Sequence, residues 1–170
     1  MKDVHRRLLF EMMANSRRSD RELAKALHIS QPTVTRVRRW LESNGYIAEY
    51  TLIPDFNKIG FELAAYTFFK THRDLLSHDG DQFQKNMTDF LEKHPNVIRA
   101  RTGEGLGCDG ILISYHLNFS DFARFARQLK QASLGIDVVG TFLATLSNEG
   151  QFRSLTFRHL KDYVSKTTLE

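Results

Sequence analysis

A single cysteine, Cys108, stands among 170 residues, so no disulfide can close within the chain and the paired cysteines of a zinc ribbon or finger are missing. Nothing in the sequence marks its thiolate as activated, and a passive residue in a glycine-rich stretch accounts for it. No apolar run reaches the ~18 residues of a membrane-spanning helix, and the start MKDVHRRLLFEMMANSRR lacks the uninterrupted apolar core of a signal peptide. The expected setting is cytoplasmic, with no membrane partner. The seven histidines, His5, His28, His72, His78, His94, His116 and His159, form no i, i+4 pair and no HExxH, so neither a metal site nor a resident cofactor is expected. Only three prolines occur, and each falls at an expected boundary: Pro32 opens a helix, Pro54 breaks a β-prone run, and Pro95 follows a helix end.

The composition, 41% hydrophobic and 26% charged, is that of a globular chain long enough for one medium domain or two small ones. Charge is unevenly placed. Residues 1–50 hold 10 Lys/Arg against 6 Asp/Glu, a balance of +4, whereas residues 51–170 hold 14 of each. The basic surplus therefore sits in the first fifty residues, where a polyanion is the natural partner.

Within that portion, Ser19 followed by Glu22 forms a capping box that starts a helix with Leu23, Ala24 and Leu27 as its buried stripe. After His28-Ile29-Ser30, Ser30 caps a second helix with Pro32 in its first turn. This helix runs to about Asn44, where Gly45 supplies a left-handed stop. At 100° per residue, Val34, Val37, Trp40 and Leu41 share one face and leave Gln31, Pro32, Thr35, Arg36 and Arg39 on the other, with Arg38 to one side. No acidic residue lies between Gln31 and Leu41. Phosphates need cationic or N–H donors and guanine edges need a planar two-pronged donor, so Gln31, Thr33, Thr35, Arg36, Arg38 and Arg39 are the candidate contacts to double-stranded DNA. The competing account, a merely solvated basic face, is weakened by the confinement of the net charge to this portion.

Val4, Leu8, Leu9 and Met12 predict a first helix over 3–14, completing a three-helix reader. Tyr46 to Leu52 is β-prone, fit for a wing or a connecting strand. Beyond it the rhythm changes. Strands are expected at Leu63 to Lys70, Val97 to Arg101, Gly110 to Leu117 and Val138 to Leu146, and helices at Gly80 to Lys93 and Asp121 to Ala132, the latter capped by Ser120. The order β-α-β-β-α-β is the ferredoxin-like split unit, whose two helices leave one sheet face bare. That bare face predicts sheet-to-sheet pairing of two copies, a homodimer or higher oligomer. Thr102 to Asp109 reads as a glycine-rich loop, and 147–170 as an added strand over Phe152 to Phe157 or a short terminal helix. The expected fold class is thus α+β: a winged helix-turn-helix at 1–52, a linker at 53–61, a ferredoxin-like effector and oligomerisation domain at 62–150, and a C-terminal extension at 151–170.

Taken together, NSRRSDRELAKALHIS, PTVTRVRRWLESNGYI, the glycine of NKIG and the ferredoxin-like half resemble the Lrp/AsnC (leucine-responsive, feast/famine) regulators over nearly the whole chain. The resemblance implies a DNA-binding transcription regulator with Gln31 to Leu41 as recognition helix. It also implies a C-terminal domain that joins subunits and senses a small molecule, an amino acid first among them. The loop before Ile111 is then the candidate effector loop, with Gly103 and Gly107 exposing backbone donors and Glu104 and Asp109 positioned for an ammonium group. Two departures stand out: His28 occupies the turn position where many relatives carry glycine, and GEGLGCDG is longer than the usual turn. Siroheme decarboxylases resemble the same layout, yet their His-Asn-Tyr-Arg-like stretch is replaced here by Ile98-Arg99-Ala100-Arg101-Thr102, so no catalytic residue is expected. An RNA-binding sheet, the third reading, would need a central-strand pattern that Asp109 to Tyr115 does not supply.

Overall fold

The computed structural model describes residues 1–72, 80–147, 149 and 151–167. His78 lies outside them. The chain forms two compact units, Met1–Ile53 together with Arg153–Glu170, and Pro54–Phe152. Residues 54–61, which the sequence gives to a linker, thus belong with the second unit, and most of the C-terminal extension belongs with the first.

The first unit holds α1 (Asp3–Ala14), α2 (Asp20–Leu27), α3 (Gln31–Ser43) and α6 (Arg158–Thr167). The expected stripes meet in one core of Leu8, Met12, Leu23, Ala24, Leu27, Val34, Val37 and Leu41. The capping box is present: the Glu22 amide donates to Ser19 Oγ at 3.3 Å and the Ser19 amide to Glu22 Oε2 at 2.7 Å. His28 ends α2 in the left-handed region, φ 54°, a conformation that histidine enters more readily than most residues. Tyr46 to Leu52 is not a strand. The Tyr46 and Ile47 amides turn back to the Leu41 carbonyl, the Tyr46 ring stacks on Trp40 at 5.2 Å, and no described strand lies alongside to complete a ladder. Phe152 to Phe157 forms no strand either, and the terminal helix is the alternative that holds.

Helix α6 docks on α1 through charge. Lys161 Nζ meets Glu11 Oε1 at 2.5 Å, and Arg18 reaches the other oxygen of the same carboxylate. The hydrogen bond from Lys161, helped by Arg18 and opposed by burial, holds the Glu11 carboxyl below the ordinary carboxylate range. A carboxylate so depressed adds stability above its unfolded pKa, and that stability fades as pH falls through the folded value. Glu11→Gln should therefore cost about 1 kcal/mol near neutrality and reduce the loss of stability on acidification. Thermal unfolding of both proteins across acidic to neutral pH checks this.

The second unit runs β1 (Leu63–Thr71), α4 (Gly80–Glu92), β2 (Val97–Gly105), β3 (Cys108–His116), α5 (Phe119–Gln131) and β4 (Ile136–Thr145). Its sheet is antiparallel in the order β2-β3-β1-β4, the ferredoxin-like arrangement. One face packs Phe69 and Leu112 against Met87 and Phe90 of α4 and Phe125 and Leu129 of α5. Alternation sends Tyr66, Phe68, Ile111, Ile113 and Phe142 to the opposite face. There Phe142 is 64% exposed, and the rings of Phe56 and Tyr115 meet at 4.5 Å. Helix α5 starts earlier than expected, because Asn118 rather than Ser120 is its cap: Asn118 Oδ1 accepts from the Asp121 amide at 3.0 Å.

Candidate nucleic-acid interface

Helix α3 turns Val34, Val37 and Leu41 into the core, which fixes the opposite face outward. Gln31, Arg36 and Arg39 are exposed there. Thr33, half-buried, stays at the N-terminal cap, its Oγ1 2.8 Å from Ser30 Oγ. Three of the six candidates are engaged within the protein, Thr33 at that cap and two others with Asp20. The Thr35 hydroxyl donates to Asp20 Oδ2 at 2.6 Å, and Arg38 binds Asp20 Oδ1 through Nε at 3.0 Å and Nη2 at 2.6 Å. A helical wheel counts only residues within one helix, so it does not show that Asp20, the first residue of α2, engages both candidates. The hydrogen bond from Thr35, followed by Arg38 and opposed by burial, keeps the Asp20 carboxyl below its ordinary range. The consequence is electrostatic. Asp20 is an anion beside a helix expected to approach phosphates, and Arg38 cancels it locally, leaving Arg36 and Arg39 to set the sign of the outer face.

On the other flank of α3 the N-terminal turn of α1 comes close. A cavity of about 660 Å³ opens there between Lys2, His5 and Arg36, with Val37, Trp40 and Tyr46 as its apolar floor. The sequence reading missed Lys2 and His5 as neighbours of Arg36. The helical stripe of Val4, Leu8 and Met12 places α1 under the core but does not say which of its ends reaches the flank of α3.

The effector candidates are arranged differently from expectation. Thr102 to Asp109 is not an extended loop: β2 and β3 continue through it and close in a two-residue turn, Leu106-Gly107, with φ of 52° and 68°. Both turn residues being left-handed matches the twist of a tight hairpin, and Gly105 pairs with Cys108 across it. Gly103 and Glu104 accordingly lie exposed on β2, Gly107 lies in the turn, and Asp109 lies on β3. Asp109 is already bound, its Oδ2 accepting from the Thr71 amide at 2.8 Å and the Thr71 hydroxyl at 3.1 Å. Among the described residues no cluster of His, Cys, Asp and Glu is arranged to hold a metal ion.

A family profile described as winged helix-turn-helix DNA-binding matches residues 1–48, the portion that carries α1 to α3. Along 57 residues, 34% of this chain and 40% of the relative, the chain is 40% identical to the helix-turn-helix-type transcriptional regulator LrpC of Bacillus subtilis. The whole arrangement, helical reader followed by ferredoxin-like sheet, superposes on an AsnC family transcriptional regulator from Agrobacterium tumefaciens with a TM-score of 0.72 at 17% identity, covering 92% of this chain and 95% of that one. The chain thus shares the fold of that AsnC family regulator. An uncharacterised helix-turn-helix-type transcriptional regulator of Pyrococcus furiosus is 26% identical over 151 residues, 89% of this chain and 95% of the relative, so the likeness in sequence extends into the sheet unit.

Proposed function

We propose that this protein is a sequence-specific transcription regulator of the Lrp/AsnC type that works in the cytoplasm without catalysing a reaction, in keeping with relatives named as transcriptional regulators. The observation that carries the reading is the outer face of α3, where Gln31, Arg36 and Arg39 stand exposed while Arg38 cancels Asp20. In the major groove, Arg39 suits a guanine edge and Gln31 suits adenine, while Arg36 suits a guanine edge or the bordering backbone and Thr33 at the helix start suits a phosphate. Two copies pair through the bare sheet face, so that two readers address half-sites about one helical turn, ~34 Å, or a multiple apart. A small-molecule effector, an amino acid first, is expected at the hairpin of Gly103, Glu104, Gly107 and Asp109. Because Asp109 also holds Thr71, Glu104→Gln tests that site more cleanly than a change at 109, with calorimetry against the amino-acid set as the readout.

The decisive experiment selects an operator from genomic fragments and compares Arg39→Ala and Arg36→Ala on matched and mismatched sites. Arg39→Ala is expected to lose about 1 to 2 kcal/mol of affinity and to relax preference at one base position. Unaltered binding by both variants would remove α3 from the groove.

A further inference from the structure

The cavity between α1 and α3 joins three features that the reading above does not use. Lys2 and Arg36 bring two cations to its rim. His5 contributes an imidazole whose Nδ1 is buried without a hydrogen-bond partner, while its ring rests edge-on against Trp40 at 4.3 Å. The floor, Trp40 stacked on Tyr46 with Val37 beside them, is apolar. Cations above an apolar shelf suit a charged group that carries a flat, weakly polar neighbour, and a backbone phosphate with its deoxyribose has that form. Arg36 belongs both to the rim and to the outer face of α3, so a helix seated in the major groove brings this cavity against the strand that borders the groove.

We propose that Lys2, His5 and Arg36 form a phosphate subsite at the flank of the recognition helix, which receives one backbone phosphate of duplex DNA. The inference rests on the DNA-reading function and adds a regulation to it, because occupancy is coupled to the protonation of His5. In the free protein His5 is held below its ordinary value, first by burial and then by Lys2, the N-terminal amino group and Arg36. Of the other charged groups nearby, Asp3 is turned to Arg6 at 3.1 Å and Arg7 at 4.0 Å. A phosphate in the cavity offsets the surrounding cations, so the pKa of His5 rises on binding. Binding therefore takes up a proton. The gain in affinity is full below the free-state pKa and is lost as pH rises through the higher, bound-state value.

A phosphate contact is indifferent to sequence, so a random duplex of about 30 base pairs serves as probe. By fluorescence anisotropy at constant salt, the full chain should bind about threefold to tenfold more tightly near pH 5.5 than near pH 7.5, a pKa shift of one unit being worth tenfold. His5→Gln should flatten that ratio, whereas His28→Gln, altering the exposed histidine of the helix turn, should keep it. An unchanged pH ratio in His5→Gln overturns the subsite. Because that variant alters a packed residue, the unaltered protein gives a second reading: the ring proton signals of His5, followed by NMR, should titrate at higher pH with the duplex present. No shift with the duplex, or a shift produced only by inorganic phosphate, also overturns it. Absence of duplex binding by the unaltered protein at either pH refutes the DNA-reading function itself, which keeps the two failures apart.

Discussion

If two copies pair through the bare sheet face as proposed, the Phe142→Asp variant is expected to sediment as a monomer at concentrations where the unaltered protein is a dimer, its dissociation constant raised roughly 100-fold or more, about 3 kcal/mol. Phe142 lies on the sheet face opposite the helices, 64% exposed, with the Tyr66 ring centroid 6.1 Å away. If that face pairs about a twofold axis, a carboxylate there is stripped of water among Tyr66, Phe68 and their copies. The single chain loses little, because the residue is mostly solvated to begin with. Analytical ultracentrifugation across a dilution series measures the change, and an unaltered dimer would move the pairing surface elsewhere. On an operator with two half-sites the same variant should lose cooperative binding while retaining weak affinity for one half-site.

The second large effect is expected at Gly110. A Cβ built there lies 2.3 Å from the tip of the Phe69 ring and 2.7 Å from the Arg101 carbonyl oxygen, so neither the core nor the β2 backbone leaves room for it. Gly110→Ala should destabilise the sheet unit by about 3 kcal/mol, at the upper end of overpacking penalties. Pairing it with Phe69→Leu, which shortens the opposing ring, should recover part of the loss. Urea unfolding of the single and double variants decides between the ring and the carbonyl: no recovery would place the strain on the Arg101 carbonyl alone.

Features encoded over three or four residues were legible in advance. The Ser19 and Glu22 capping box, the Ser30 cap with Pro32, and the stripes that meet around Leu8, Leu23 and Val34 all depend on near neighbours, and all are present. So is the βαββαβ order, because its strands and helices alternate with clear hydrophobic periods. Contacts between distant segments were not legible. Asp20 meets Thr35 and Arg38 across fifteen and eighteen residues, and no periodicity within α3 announces it. Glycine enrichment misled the reading at 102–109: glycine disfavours strands on average, yet here it supplies the left-handed turn that lets β2 and β3 run on. At 46–52 the error was the reverse, since residues fit for a strand form none without a neighbour to pair with.

The return of α6 to the helical unit has a mechanical consequence. Because the chain leaves that unit at Ile53 and re-enters it at Arg153, the sheet unit is inserted into the reader, and two covalent connections span the junction. A protease cut in residues 54–61 would then leave the reader tethered through its second connection and through the Glu11 and Lys161 clasp. Both severed pieces would travel together until denaturant released them.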